Sequence, residues 1–326
     1  IKLADDPDYN QTKFEEKLEI KGDNDHTKLI AMLNDLNDYS VPMSEILGKY
    51  FDTENIAYWM AFQLLTGNTD TQNRNVYLYS PTNSDTFYLL DWDNDGMLMR
   101  KEYEIRQRAD GQSWENGISN YWGNILLRRC LQTKSFRTAL DKAINDEYKY
   151  MSAGRINSMV RQYRSIVEPY VQKMPDSMHE PLTPSQYDTV ANQLHSEIER
   201  NYQTFQTGFN KPMPFYIGKP TPANGKLKLN WDVAYDFNDE DLRYTVTVSK
   251  DYAGNDVVFS QSDVVLPEAV MDMPGEGQYF IKVSVRNASG YTQDAFDHYI
   301  TDGNKIYGTK CFYVKADGSI VEDANE

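Results

Sequence analysis

The spacing of apolar residues predicts helices over most of the first two thirds of the chain. Between residues 156 and 170 they recur every three or four positions, as on one face of a helix. This apolar stripe consists of Ile156, Met159, Val160, Tyr163, Ile166, Val167 and Tyr170. Residues 124–131 and 134–144 predict two earlier helices. A later helix is predicted over 184–205, because Thr183 suits the N-cap and Pro184 the first helical position.

Residues 56–65 predict a different kind of helix, which is apolar on nearly every side. A helix without a polar face is expected to be buried within its domain. Asp52 is its predicted N-cap, and Gly67 suits its C-terminal end. The chain therefore leaves this helix close to the domain interior.

A polar loop, a β-hairpin and an acidic loop follow this helix in that order. Residues 76–79 and 87–90 are rich in β-prone side chains, and a turn-forming run joins them. Because the two ends of a hairpin lie side by side, Asp70 and Asn75 before it are expected to meet Asp93 after it. Crowded carboxylates repel each other unless a cation or a proton joins them. Oxygen donors of this kind favour Mg²⁺ or Ca²⁺ rather than zinc.

The last third of the chain consists of short alternating runs separated by proline and glycine. The β-prone runs cover residues 226–231, 244–249, 256–260 and 278–286. Their spacing predicts an antiparallel sandwich of about a hundred residues. Trp231, the Tyr244-x-Val246-x-Val248 run and residues 279–290 resemble the fibronectin type III pattern.

Length and composition fit folded domains, and the predicted helices and strands place them in the α+β class. A chain of 326 residues exceeds one typical domain, and we expect two, at residues 1–211 and 212–326. Hydrophobic residues make up 40% and aromatic residues 13%, which indicates folded domains rather than disorder. The formal charge of −16 disfavours binding to nucleic acid and to anionic lipid. No apolar run reaches the roughly 18–20 residues of a membrane-spanning helix.

The two cysteines, Cys130 and Cys311, are too few for a disulfide framework or a four-thiolate zinc site. Two independent buried thiols are the favoured expectation, and one interdomain bridge is the alternative. The four histidines are scattered, with no spacing typical of a metal site. The chain opens at Ile1 without a signal-peptide pattern, which predicts a processed or trimmed segment.

The order of the acidic and amide residues resembles the catalytic and metal-binding loops of kinases. Two sequence motifs here are similar to those of the CotH (spore coat protein H) kinase family. They are Leu65-Thr66-Gly67-Asn68-x-Asp70-x-x-x-x-Asn75-x-Tyr77-Leu78-Tyr79 and, after it, Trp92-Asp93-x-Asp95. The helices predicted after it are similar to the C-terminal lobe of that family. The resemblance spans roughly residues 13–209 and implies a protein-kinase-like, mostly helical lobe ahead of the sandwich.

The resemblance also implies roles for individual residues. Asp70 would orient or deprotonate the hydroxyl that accepts phosphate. Asn75 and Asp93 would hold Mg²⁺ against the phosphates of ATP, with Asp95 as a second carboxylate. The implied activity is transfer of the ATP γ-phosphate to Ser or Thr hydroxyls of a partner protein. Together with the sandwich, the resemblance implies a secreted or cell-surface location.

Residues 91–102 also match the complete pattern of an EF-hand calcium loop. In this alternative the Ca²⁺ ligands are Asp91, Asp93, Asp95 and Glu102. An EF-hand loop lies between two helices, and the β-prone run before Asp91 leaves little room for the first of them. We therefore favour the kinase-like metal site and keep the calcium loop as the alternative.

No glycine-rich phosphate loop and no assignable strand lysine precede the buried helix, so the nucleotide-covering lobe is expected to be truncated in this sequence. The lysines available there are Lys2, Lys13, Lys17 and Lys21. The alternative function is a non-catalytic surface, adhesion or calcium-binding protein, in which both domains only bind partners. The sequence does not predict an oligomeric state.

Overall fold

The computed structural model describes residues 25–72, 74–179 and 182–322. Over these residues the fold is α+β, with nine α-helices and several antiparallel sheets. The chain divides into two compact units. The first unit contains Ile1–Phe62, Thr71–Asn94 and Gly123–Glu147, and the second contains Gln63–Asp70, Asp95–Trp122 and Tyr148–Glu326.

The helices and one β-hairpin make up the first part of the chain, called the helical part here, and the remaining strands follow it. The helices are α1 (Thr27–Asn37), α2 (Met43–Tyr50), α3 (Thr53–Thr66), α4 (Arg100–Ile105), α5 (Ile125–Gln132), α6 (Lys134–Tyr150), α7 (Ala153–Val171), α8 (Pro184–Ala191) and α9 (Leu194–Gly208). The strands are β1 (Val76–Tyr79), β2 (Tyr88–Asp91), β3 (Thr221–Ala223), β4 (Lys226–Asn230), β5 (Leu242–Ser249), β6 (Val257–Val264), β7 (Glu268–Asp272), β8 (Gly277–Asn287), β9 (Thr292–Asp294), β10 (His298–Thr301), β11 (Asn304–Tyr307), β12 (Thr309–Val314) and β13 (Ile320–Glu322).

Helix α3 is the buried helix that the sequence predicts. Ile56 and Met60 are fully buried in the first unit. The Asp52 carboxylate accepts a hydrogen bond from the backbone N–H of Asn55 at 2.9 Å, which satisfies one of the free donors of the first turn. Gly67 follows the helix in a left-handed conformation with φ +63°, which a glycine adopts without strain. The prediction of this helix and both of its ends is confirmed.

A buried arginine fixes α5 against the end of α1 in the first unit. Arg129 is only 5% exposed, and its guanidinium donates to the backbone carbonyls of Leu36 and Val41. These carbonyls lie at or just beyond the end of α1, where helix carbonyls lack partners within the helix. The cation therefore satisfies acceptors that α1 itself cannot satisfy.

The predicted hairpin forms in the first unit from β1 and β2. The two strands are antiparallel, and Val76 pairs with Asp91 while Tyr79 pairs with Tyr88. Asn55 on α3 holds the hairpin by two hydrogen bonds, since its side chain donates to the Leu89 carbonyl and accepts from the Leu89 N–H. The hairpin is therefore attached directly to the buried helix that precedes it.

Two antiparallel sheets in the second unit share one hydrophobic core. One sheet has the strand order β13-β12-β8-β5-β6, with β9 paired to β8, and the other has the order β3-β4-β7. Leu229 and Met271 from the smaller sheet belong to the same buried cluster as Val246 and Ile281 from the larger sheet. Each of the four β-prone runs is a strand, as predicted from the alternation of apolar and polar residues.

One of the helix predictions needs correction. The helix predicted over 184–205 is two helices, α8 and α9, because Asn192 and Gln193 have ψ values of −9° and −8° and so leave the helical path. Thr183 and Pro184 begin α8 as predicted, with a complete capping box. Helix α7 is also present, but none of its residues is buried, so the apolar spacing predicted the helix and not its burial.

Both cysteines are free and buried, as the favoured expectation had it. Within the described residues, no helix combines the length and the hydropathy needed to cross a bilayer.

Candidate functional site

The loop that carries Asp70 is held in place within the second unit. The backbone N–H of Asp70 donates to the side-chain oxygen of Asn68 at 3.2 Å. Asn68 is only 1% exposed, and its carbonyl accepts a hydrogen bond from the Tyr121 hydroxyl at 2.8 Å. The side chain of Asn120 donates to the neighbouring carbonyl of Thr69 at 3.3 Å. These contacts therefore fix the backbone of the loop immediately before and at Asp70.

The acidic loop lies against the Asp70 loop within the same unit. The backbone N–H of Leu98 donates to the Thr66 carbonyl at 2.7 Å. A Cβ atom placed on Gly96 would come within 3.0 Å of the Asn68 side-chain oxygen and 3.6 Å of the Asp70 carboxyl carbon. Glycine at position 96 therefore allows the backbone next to Asp95 to approach the predicted catalytic carboxylate.

Asn75 and Asp93 flank one end of the hairpin in the first unit. Since Val76 pairs with Asp91, Asn75 precedes that end of β1 and Asp93 lies two residues beyond that end of β2. Both residues have left-handed backbones, with φ of 56° at Asn75 and 52° at Asp93. Asparagine and aspartate adopt this conformation more readily than other side chains. An amide oxygen and a carboxylate are hard donors, and they suit a divalent cation such as Mg²⁺.

The same end of the hairpin carries an exposed aromatic pair. The Tyr77 and Trp92 rings lie 4.9 Å apart between centroids, and both side chains are about half exposed. Aromatic rings of this kind can stack on the flat face of a nucleobase. Along the chain, Tyr77 is two residues after Asn75 and Trp92 directly precedes Asp93.

The residues of the alternative calcium loop belong to separate elements. Asp91 is the last residue of β2, so a strand occupies the position that a helix has before an EF-hand loop. Glu102 lies on α4 and forms an ion pair with Arg106 at 2.8 Å. Within residues 25–72, 74–179 and 182–322, no three His, Cys, Asp or Glu side chains are grouped closely enough to hold a metal ion. The calcium loop stays a prediction.

A cleft of about 270 Å³ in the first unit was not predicted from the sequence. Asp91 and Glu147 contribute carboxylates to it, and Tyr58, Trp59 and Phe62 contribute rings. Burial raises the pKa of Glu147 to about 8, and the negative charge of Asp91 adds to that rise. Glu147 therefore keeps its proton at a pH where an exposed glutamate has lost it.

The raised pKa of Glu147 predicts a pH-dependent stability difference. The unfolded chain ionises this group near pH 4.5, whereas the folded chain retains the proton up to about pH 8. Stability is therefore lost as the pH rises from 4.5 to 8, and Glu147→Gln removes that loss. We expect the variant to unfold at a higher temperature than the wild type at pH 9, with a much smaller difference at pH 5. Thermal unfolding at both pH values measures this. Glu45→Gln, exposed on α2, controls for the loss of one negative charge.

Two residues that hold the Asp70 loop were not predicted from the sequence. Asn120 and Tyr121 contact the Asp70 loop from about fifty positions away. Nothing in their local sequence marks them, because an asparagine and a tyrosine in a short 3₁₀ helix follow no spacing rule. The predicted lysines Lys2, Lys13, Lys17 and Lys21 lie outside the described residues.

Comparison with known proteins identifies one family over most of the helical part. The profile of the family described as CotH kinase protein matches residues 1–205. No curated protein matches the chain.

Proposed function

The chain belongs to the CotH kinase family, and on that basis we propose that it transfers the γ-phosphate of ATP to Ser or Thr hydroxyls of a partner protein. The observation that carries the proposal is the close packing of Gly96 in the acidic loop against the Asp70 carboxyl group. A phosphotransferase needs a carboxylate at the accepting hydroxyl beside a loop that supplies oxygen ligands.

Four polar residues of the two loops have roles in this proposal. Asp70 accepts the proton of the attacking hydroxyl and orients its oxygen. Asn75 and Asp93 provide oxygen ligands for Mg²⁺, and Asp95 provides a second carboxylate. When bound, Mg²⁺ offsets the negative charge of the ATP phosphates.

The exposed Tyr77 and Trp92 rings supply a surface for the adenine base in the same proposal. Their position next to Asn75 and Asp93 along the chain would put base and phosphates on neighbouring residues. A cation from the N-terminal part of the chain, where Lys2, Lys13, Lys17 and Lys21 occur, would complete the nucleotide site.

We assign residues 1–211 to a kinase-like lobe and residues 212–326 to a fibronectin type III-like sandwich. The common core of the two C-terminal sheets supports the second assignment. A secreted or cell-surface kinase acting on partner proteins fits an appended module of this type.

Metal-dependent binding of ATP tests the proposed ligand set. We expect Mg²⁺ to tighten ATP binding to the wild-type chain, and Asp93→Asn to weaken that binding by roughly tenfold to a hundredfold through the loss of one charged ligand. Isothermal titration calorimetry with and without Mg²⁺ measures both effects. Asp85→Asn, which removes an exposed carboxylate from the hairpin turn, is the matched control.

The same titrations separate the calcium alternative from the kinase proposal. Tight Ca²⁺ binding that is lost in Glu102→Gln, together with no binding of ATP, would contradict the proposed function. Only the EF-hand alternative makes Glu102 a metal ligand. Mg²⁺-dependent ATP binding that is unchanged in Glu102→Gln would favour the kinase.

A further inference from the structure

A chain of buried polar contacts joins the C-terminal sheets to the Asp70 loop within the second unit. Gln293 lies on β9, the short strand paired with β8. Its side-chain amide donates to the Ser119 hydroxyl at 3.0 Å. The next two residues, Asn120 and Tyr121, donate to the carbonyls of Thr69 and Asn68. Asn68 in turn accepts the backbone N–H of Asp70.

The side chains that make these contacts are removed from solvent. Gln293 is 7% exposed, Ser119 is 5% exposed and Tyr121 is 1% exposed. A buried polar group without its partner loses the hydration that it would have in water, so each contact favours one geometry of the groups it joins. Such a relay can therefore hold a loop in one conformation more strictly than apolar packing alone.

A second contact attaches the same segment to the same strand. The Ser113 hydroxyl donates to the Asp294 carboxylate at 2.8 Å. Asp294 follows Gln293 directly, so neighbouring residues of β9 hold both ends of the segment 113–119. The segment Gln63–Asp70, which includes the end of α3 and the Asp70 loop, belongs to one compact unit with the C-terminal sheets. Two hydrogen bonds thus attach β9 to the segment that leads directly into Asn120 and Tyr121.

We propose that the C-terminal sheets are a positioning element for the Asp70 loop, and that Gln293 is the positioning residue that acts through Ser119 and Tyr121. The inference rests on the proposed function only where it concerns the rate of phosphotransfer. It gives the C-terminal sheets a task beyond that of a spacer, because the geometry around Asp70 depends on a strand more than 200 residues away.

Hydrogen exchange and kinetics on the complete 326-residue chain test this relay. Gln293→Leu and Ser119→Ala remove the same hydrogen bond from opposite sides, and Tyr121→Phe removes the bond to the Asn68 carbonyl. We expect amide exchange in residues 66–72 to become roughly tenfold faster in each variant, with kcat falling by a similar factor. The KM for ATP should stay within about twofold, because the relay contacts no nucleotide-binding residue. Thr292→Val, an exposed neighbour on β9, is the matched control and should change neither quantity.

Amide hydrogen exchange tests the positioning role of the C-terminal sheets without any measurement of activity. Faster exchange confined to residues 66–72 supports the positioning role, even if the chain transfers no phosphate, and that combination would contradict only the proposed function. Unchanged exchange in Ser119→Ala and Tyr121→Phe would overturn the inference. Exchange that accelerates equally throughout the second unit would also overturn it, because a general loss of stability does not single out one loop.

Discussion

Replacing Asp70 by asparagine is expected to lower the rate of phosphotransfer by roughly 10²–10⁴-fold, the range that a general base contributes. Asparagine has nearly the same shape, so the close approach of Gly96 and the hydrogen bond from the Asp70 N–H to Asn68 should survive. What is lost is the group that accepts the proton of the attacking hydroxyl. The rate of label transfer from γ-labelled ATP measures the effect.

The control for this substitution must remove a carboxylate elsewhere. Asp85→Asn in the hairpin turn does so at an exposed position and should leave the rate unchanged. Binding of ATP should also persist in Asp70→Asn, since Asp70 is assigned to the hydroxyl and not to the metal. Wild-type rates in Asp70→Asn would remove the residue from the mechanism.

Replacing Lys305 by methionine is expected to destabilise the protein by about 3–5 kcal/mol, the cost of leaving a buried charge without its partner. Lys305 pairs with the Glu115 carboxylate at 2.6 Å and with Asp110 at 3.2 Å. Glu115 is only 6% exposed and also accepts a hydrogen bond from Tyr307 at 2.7 Å. Without the lysine, the Glu115 carboxylate stays buried, and the hydrogen bonds that it still accepts come from neutral donors such as the Tyr307 hydroxyl. Denaturant unfolding, read as the free energy of unfolding, measures the loss.

A surface ion pair of the same kind provides the control for Lys305. Lys228 pairs with Glu268 at 2.6 Å, and both side chains are more than two fifths exposed. Lys228→Met should therefore cost no more than about 1 kcal/mol. Adding Glu115→Gln to Lys305→Met should recover part of the loss, since the unpaired charge is then removed. A loss in Lys305→Met no larger than in Lys228→Met would show that the buried network contributes little.

Local patterns in the sequence were sufficient for the elements that position the candidate site. Helix α3 was predictable because it is apolar on nearly all sides, and its ends were predictable because Asp52 and Gly67 have specific roles in capping. The hairpin was predictable because its two strands are close in sequence and a turn joins them. Short-range physics decides these features, so they can be inferred from a single chain.

Burial and long-range contacts were not predictable in the same way. The stripe on α7 has helical spacing, yet spacing alone does not say whether another element covers it. Gln293 and Ser119 are 174 residues apart, and neither belongs to a motif. The meeting of Asp91 with Glu147 likewise depends on how α6 packs against β2. Such contacts are consequences of tertiary packing.

Incubation of the intact chain and an acceptor protein rich in Ser and Thr with γ-labelled ATP and Mg²⁺, followed by identification of the labelled residues on both, tests the central claim most directly. We expect label on Ser or Thr hydroxyls that depends on Mg²⁺ and disappears in Asp93→Asn. If the wild-type chain gives no more label than the Asp93→Asn chain, that result would contradict the assignment of a phosphotransferase.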